Sequence, residues 1–301
     1  MKITNKYHLP EALVRAVSHD RYEGGNADIS VTTLIAPPQI RKLRAAHEED
    51  IVEDASERIW SMMGSAVHYV VENAVETMKK DGAWNDSECV AEKRYYREYG
   101  DKTISGQIDL YEYGVLTDFK LTSIWAIKDA IYGGGKPEWD AQLNLQRWLM
   151  VGSASHLQIT AIARDWNKSG MMRDENYPPR ACNIEVPLWS DEKVDAYIQE
   201  RLNAHFGKIT PDCTPSECWE SPTKYALMKK GRKSAVRLLE DRLLVMPYAA
   251  EKGCAIQDPD DGHWELDSKH YIDIRQGERR RCKDYCSVMP FCDQYKEWLG
   301  D

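Results

Sequence analysis

Apolar and polar positions alternate along this chain with two distinct periods. Over 55–80, Ile59, Met63, Val67, Val70, Val71, Ala74 and Met78 recur at helical spacing, and Asp81-Gly82 closes the run. Further helices are predicted from about Gln39, after Pro37-Pro38, and over 139–151 and 190–206. Between them the period shortens. The stretch ISGQIDLYEYGVLTDFKLTS (104–123) predicts two short β-strands joined through a turn at Gly114. Strands are also predicted over 92–99 and 157–163, and a loop over 174–179. Thr32 to Ile35 reads as a short segment leading into the helix that follows. After Phe206 the pattern changes to the prolines and polar residues of a connection, which sets a boundary near 210.

The hairpin carries the chemistry. Residues two apart on a strand share a face, so Asp118 and Lys120 project together while Thr117, Phe119 and Leu121 face the other way. A hairpin partner can bring Asp109 beside them. An Asp-x-Lys on a strand is ordinarily a solvated face, but here the flanking Ile104, Ile108, Leu110, Val115, Leu116, Phe119 and Leu121 are too apolar for an exposed hairpin. Buried acids are costly unless paired or metal-bound. Two carboxylates and an ammonium on one face suit a divalent cation with a charge partner for water or phosphate. Upstream, Gly64 and His68 lie one helical turn apart. The glycine is expected to let a neighbour approach closely, and the imidazole to reach the same space as a ligand. Downstream, Gln142 could bond a phosphate or a catalytic carboxylate.

Composition narrows the class. The 301 residues suffice for a large core or a domain with an appendage. Mean hydropathy is negative, and no apolar run approaches the roughly 20 residues that span a bilayer. The start MKITNKYHLP lacks a signal-peptide apolar region. A cytoplasmic location without membrane contact is the expectation. In a reducing compartment the eight cysteines are expected as ligands or thiols rather than disulfides. A net charge of −9 speaks against a protein that coats nucleic acid, but not against a local basic patch. Two such patches occur. One is Lys224 to Arg237, with Lys229, Lys230, Arg232 and Lys233; the other includes Arg279, Arg280 and Arg281. As candidate DNA contacts they flank a cysteine-rich tail. Ten tryptophans and sixteen tyrosines could supply stacking platforms, though most belong in the core.

The order helix-His, strand-Glu, G-x-x-D strand, D-x-K strand and helix-Gln, spread over 64–146, resembles the RecB-like branch of the PD-(D/E)xK nuclease superfamily. The similarity is to phage-encoded recombination exonucleases, and it extends to the tail segments CTPSECWESPTKYALMKKGRKSAVRLL and RCKDYCSVMPFC. The resemblance implies an α/β fold: a restriction-endonuclease-like core, with a central mixed sheet flanked by helices, over 1–210. A basic, cysteine-cluster extension over 211–301 would pack on it. It implies His68, Asp109 and Asp118 as ligands of one or two Mg²⁺ or Mn²⁺, with the Phe119 carbonyl as a fourth. Lys120 would orient the attacking water and stabilise the phosphorane, and Glu92 fills an acidic position of varying role. Gln142 opens the family's Q-x-x-x-Y motif, in which Gln146 here replaces the tyrosine.

Cys282-x3-Cys286-x5-Cys292 places three thiols within eleven residues of a loop-like segment. Three thiolates need a fourth ligand. The resemblance implies Cys213, with Cys218 the alternative, holding a 4Fe–4S cluster that staples the C-terminus to the core. Zn²⁺ is the alternative occupant, less favoured because the paired C-x2-C knuckles of zinc ribbons are missing. Cys89, Cys182 and Cys254 read as ordinary thiols. The activity implied is a DNA exonuclease acting at linear ends in recombination or repair, in the cytoplasm of a bacterial host if phage-encoded. A single-strand annealing protein and further copies of the chain are the partners it suggests. The competing readings are a structure-specific or restriction-like endonuclease, and a catalytically idle DNA-binding subunit.

Overall fold

The computed structural model describes residues 1–18, 26–258 and 262–300. It divides into two units, Met1–Pro211 and Asp212–Asp301. The first contains, in order, β1 (Lys2–Thr4), α1 (Glu11–Ser18), β2 (Ile29–Ser30), α2 (Val31–Ile35), α3 (Pro38–Ala46), β3 (Val52–Asp54) and α4 (Ile59–Lys80). There follow β4 (Cys89–Tyr99), β5 (Lys102–Glu112), β6 (Val115–Thr122), α5 (Ile124–Tyr132), α6 (Pro137–Leu149), β7 (His156–Ala163), α7 (Lys168–Arg173), β8 (Ala181–Val186) and α8 (Asp191–Phe206).

A six-stranded mixed sheet organises this unit. Its path runs β2-β5-β6-β7-β8, with β4 on the other edge of β5. β6 and β7 are parallel; β4–β5, β5–β6 and β7–β8 are antiparallel. The β5–β6 hairpin turns through Tyr113 and Gly114, both with positive φ (47° and 91°), as a two-residue type I′ turn requires. The apolar positions that predicted the hairpin are its packing residues. Ile108 and Leu116 join Ile127, Leu143, Leu157 and Ile159 in one buried cluster, and Ile104 joins Ile29, Leu34, Leu145, Leu149 and Ile198 in another. α6 feeds both clusters, so it is buried around most of its surface.

β5 has different partners along one edge, and that is what builds the site. Near its start it pairs with β2, at Ile104 and Ser105. Near its end it pairs with β6, at Leu110 to Glu112. Between these, Gly106 to Ile108 keep only β4, Asp109 has no register partner, and the sheet forks. α6 seals the fork. A Cβ on Gly106 would lie 2.7 Å from the Leu149 Cδ1 and 3.1 Å from the Val31 Cγ2, so a larger residue would have to push these side chains aside where helices press on the strand.

Several elements differ from the periodicity. The short segment expected to lead into the next helix is itself a helix, α2, capped by Ser30, whose hydroxyl accepts from the Thr33 amide. α5 and β8 carry too few residues for a period to show. The buried face of α4 is rotated from the one expected: Val75 is its one fully buried residue, while Met63 and Val70 are exposed.

The second unit holds β9 (Lys224–Lys229), β10 (Arg237–Leu239), α9 (Val245–Glu251), β11 (Ala255–Gln257), β12 (Trp264–Leu266), β13 (His270–Arg275), α10 (Arg280–Tyr285) and α11 (Asp293–Leu299). β9 is the centre of a three-stranded antiparallel sheet, and β11–β12 is a separate hairpin. Leu227, Ala249, Cys254 and Ala255 form its core. Among the described residues no helix is long and apolar enough to cross a membrane.

Candidate active site

Asp109 lies at the fork, 7% exposed. Its Oδ2 accepts a hydrogen bond from the Phe119 amide at 2.9 Å, at the point where β6 has left β5. The carboxylate therefore replaces the missing ladder partner. In a strand the N–H and C=O of one residue leave from the same edge, so the Phe119 carbonyl also emerges towards this fork.

Glu92 sits on β4 opposite Asp109. Cross-strand pairing is regular on both sides, at Ala91–Leu110 and Lys93–Ile108, and is interrupted at Glu92 itself. There the backbone adopts φ 46°, a left-handed conformation that a non-glycine residue rarely takes. Such strain persists only where the surroundings enforce it. Here two bonds hold the carboxylate. Gln107 Nε2 donates to Oε2 at 2.6 Å, and His68 Nδ1 lies 3.1 Å from Oε1. His68 Nδ1 is also 3.6 Å from Asp109 Oδ2, and its ring meets Phe119 edge-on at 6.4 Å. One ligand atom each from His68, Glu92 and Asp109 lies within 4.8 Å of the others. An imidazole and two carboxylates at this spacing are a divalent-ion donor set.

This triad differs from the expected set, in which Asp118 accompanied His68 and Asp109. Asp118, 2% exposed, belongs to an adjoining ring of three. Gln142 Nε2 donates to Asp118 Oδ1 at 2.5 Å, Lys120 Nζ donates to Gln142 Oε1 at 2.9 Å, and Lys120 Nζ lies 2.8 Å from Asp118 Oδ2. That Oδ2 has the ammonium's charge nearby but no aligned hydrogen bond, which leaves a buried carboxylate oxygen open to a cation. Gln142 thus bridges the acid and the amine. Asp118 makes it harder for Asp109 to ionise and easier for His68 to hold a proton.

The electrostatics follow from burial. Burial first, then Asp118, raises the Asp109 carboxyl from 3.8 to about 7, against the opposing pull of His68, the Phe119 amide and Lys120. His68 is shifted upward, chiefly by its hydrogen bond to Glu92. A proton on His68 offsets part of the charge of the two carboxylates, and a cation held by the same atoms would displace it. The residues therefore fit a divalent ion.

Three observations were not legible in the sequence or run against its reading. Gln107 positions Glu92; its only signal is a place two residues before Asp109, on the same strand face. Gln146 stands where the resembling family has tyrosine, yet it is 3% exposed and its Nε2 donates to the Gln107 carbonyl at 2.8 Å. It completes the fork from inside rather than facing solvent. Gly64 was expected to admit a close neighbour, but a Cβ built there meets nothing within 4 Å. That face of α4 is open.

The second unit brings the tail cysteines together. Gln294 of α11 accepts from the Cys213 amide at 3.0 Å and donates to its carbonyl at 2.7 Å, which fixes Cys213 beside the segment of Cys292. The Arg281 amide donates to the Cys218 carbonyl at 3.1 Å, beside Cys282. No disulfide joins any of the eight cysteines. Cys218 and Cys282 are in thiol contact, and burial followed by neighbouring thiols pushes Cys282 up to about 12. Cys213 is raised by burial, then by Cys218, Glu217, Cys292 and Cys282. Cys282 thus feels the thiols of Cys218, Cys286 and Cys292, and Cys213 those of Cys218, Cys292 and Cys282. Of the basic residues, Lys229, Lys230, Arg232 and Lys233 are exposed around the β9–β10 turn. Arg279 instead pairs with Glu220 at 2.7 Å, and Arg281 donates to the Glu217 carbonyl at 2.8 Å. These two arginines tie the segments carrying Cys218 and Cys282.

No protein-family profile and no curated protein matches the sequence. Solved structures similar to it include SSO0001, at 17% identity over 69% of this chain and 90% of that one, with a TM-score of 0.44. They also include the alkaline exonuclease LHK-Exo of Laribacter hongkongensis. In its complex with dAMP that enzyme is 12% identical over 60% of this chain and 86% of its own, TM-score 0.32. A second structure of it gives 13% over 46% and 65%, TM-score 0.29. At these values the comparisons carry no argument, and the functional reading rests on the side chains. What the fold and site define is a mixed α/β protein with a half-buried imidazole–carboxylate centre at a sheet fork.

Proposed function

We propose that this chain is a metal-dependent deoxyribonuclease of the RecB-like PD-(D/E)xK type, hydrolysing phosphodiester bonds at the ends of linear DNA. The observation that carries the reading is the half-buried triad of His68, Glu92 and Asp109 directly adjoining the Asp118–Lys120–Gln142 ring. Buried charge of this density is costly, and nothing in the packing of the core requires it.

His68, Glu92 and Asp109 would hold Mg²⁺ or Mn²⁺, with Asp118 Oδ2 and the Phe119 carbonyl at its margin. When bound, such an ion lowers the pKa of water and offsets phosphoryl charge. The chain's own groups do the rest. Lys120 is fixed by Asp118 and Gln142, so its ammonium presents a positive charge to a phosphate in a water-poor site without reorganising. Gln107 and the strained Glu92 backbone keep the carboxylate aimed at His68. Residues 1–210 would be the nuclease core. The thiols, drawn from Cys213, Cys282, Cys286 and Cys292 with Cys218 in reach, would hold a 4Fe–4S cluster bracing 211–301, with zinc the other occupant. Lys229, Lys230, Arg232, Lys233 and Arg280 would contact DNA. A recombination role with an annealing protein, a phage origin, a bacterial cytoplasm and a ring of copies complete the reading.

The test is digestion of one linear duplex and its closed circular form with Mg²⁺, using protein purified without oxygen and assayed for iron and zinc. Loss of the linear form alone is expected. Cutting of the circle would move the assignment to an endonuclease. Silence on both, with the thiol-held metal intact, would leave a binding subunit.

A further inference from the structure

α4 leads away from the metal-type triad along an open face. Trp60, Gly64 and His68 are spaced i, i+4 and i+8, so they fall in one stripe of the helix. Trp60 lies about 12 Å from His68 along the axis, at ~1.5 Å per residue. It is 51% exposed. Gly64, between the two, has nothing within 4 Å of a built Cβ, so no side chain blocks the path.

A cation stands over this tryptophan. The Arg164 guanidinium carbon is 4.7 Å from the centre of the Trp60 ring. Arg164 follows β7, and its amide donates to the Thr122 carbonyl at 2.8 Å, which places it at the end of β6, two residues past Lys120. A second exposed tryptophan, Trp125 of α5 (57% exposed), begins just beyond the same strand end and carries Lys136 at 4.9 Å from its ring. Exposed aromatic faces paired with cations are the recognition elements of single-stranded nucleic acid, because every base has a face to stack and every nucleotide a phosphate.

We infer that Trp60 with Arg164 forms a stacking subsite for one unpaired base of a DNA strand whose phosphate backbone runs past Gly64 to the triad. The inference rests on the nuclease reading and adds to it which residues outside the metal-type triad hold a base of the strand being cut. Trp60 is a positioning residue, and the chemistry stays with the triad and Lys120.

The experiment measures binding of a fluorescent twelve-nucleotide oligo(dT) by fluorescence anisotropy, with Ca²⁺ in place of Mg²⁺ to suppress cleavage. Trp60→Ala should weaken binding about tenfold, Trp60→Phe should restore most of it, and Trp60→Leu should not. Arg164→Gln should reduce the slope of log affinity against log salt by about one. Oligonucleotides with a single abasic site, scanned from the end, separate stacking from structural damage. At one position the missing base should cost the wild type affinity and cost Trp60→Ala nothing further. Equal affinity in wild type and Trp60→Ala, or no position showing this coupling, would overturn the inference and leave the nuclease reading standing. A wild type that neither binds the oligonucleotide nor cuts linear DNA would overturn both.

Discussion

Asp109 shows most directly what one residue contributes and what it costs. Its carboxyl titrates near 7 in the fold against 3.8 ordinarily, so the native chain holds a proton that the unfolded chain has released. Stability therefore declines as pH rises from the ordinary carboxylate range through about 7, where Asp109 becomes a buried anion. In EDTA, Asp109→Asn should melt above the wild type at pH 8, with the gain shrinking towards pH 5. Thermal melts at the two pH values check this, and an equal gap at both would refute it. The same carboxyl must ionise to bind a cation, so Mn²⁺ affinity should rise with pH across that window, with proton release visible in calorimetry in buffers of differing ionisation enthalpy. Asp109, Asp118 and Lys120 were legible from strand alternation and apolar flanks. The part played by Glu92 was not, because a left-handed backbone opposite Asp109 leaves no mark in the pattern.

At the scale of elements, the fork of β5 is the central device. Hydrophobic period places β5, β6 and α6 in the sequence, since their packing faces are regular. It does not show that β5 changes partner from β2 to β6, because both pairings use ordinary alternation. Two residues maintain the fork, and each supplies a test. Gly106→Ala forces Leu149 and Val31 aside, at a cost of about 1–3 kcal/mol for overpacking. Gln146→Leu leaves the Gln107 carbonyl without its donor, at about 1–3 kcal/mol for a buried unsatisfied group. Urea unfolding measures both. An unchanged midpoint for Gln146→Leu would mean the fork closes without it. The short elements α5, β8 and those of the second unit were not visible, because three to nine residues seldom complete a convincing period.

At the scale of the whole molecule, the chain combines two units with separate stabilising logics. The first has large apolar clusters on a mixed sheet. The second has a small core, around Leu227 and Ala249, and thiols from both of its ends, Cys213 and Cys218 with Cys282 and Cys292, that influence one another. Small cores commonly depend on a metal or cross-link. Cys282→Ser should therefore increase amide hydrogen exchange across 212–300 and leave β4 to β8 unchanged; protection retained throughout would show that the thiols are passive. The central claim concerns the first unit, and single-turnover cleavage of an end-labelled linear duplex by wild type and Lys120→Ala tests it. The account predicts hydrolysis by the wild type in Mg²⁺, none in EDTA, and a loss of at least 10²-fold in Lys120→Ala, the scale of removing one preorganised electrostatic group, with the variant still folded at the assay temperature. Hydrolysis that survives EDTA, or persists at the wild-type rate in Lys120→Ala, would contradict it.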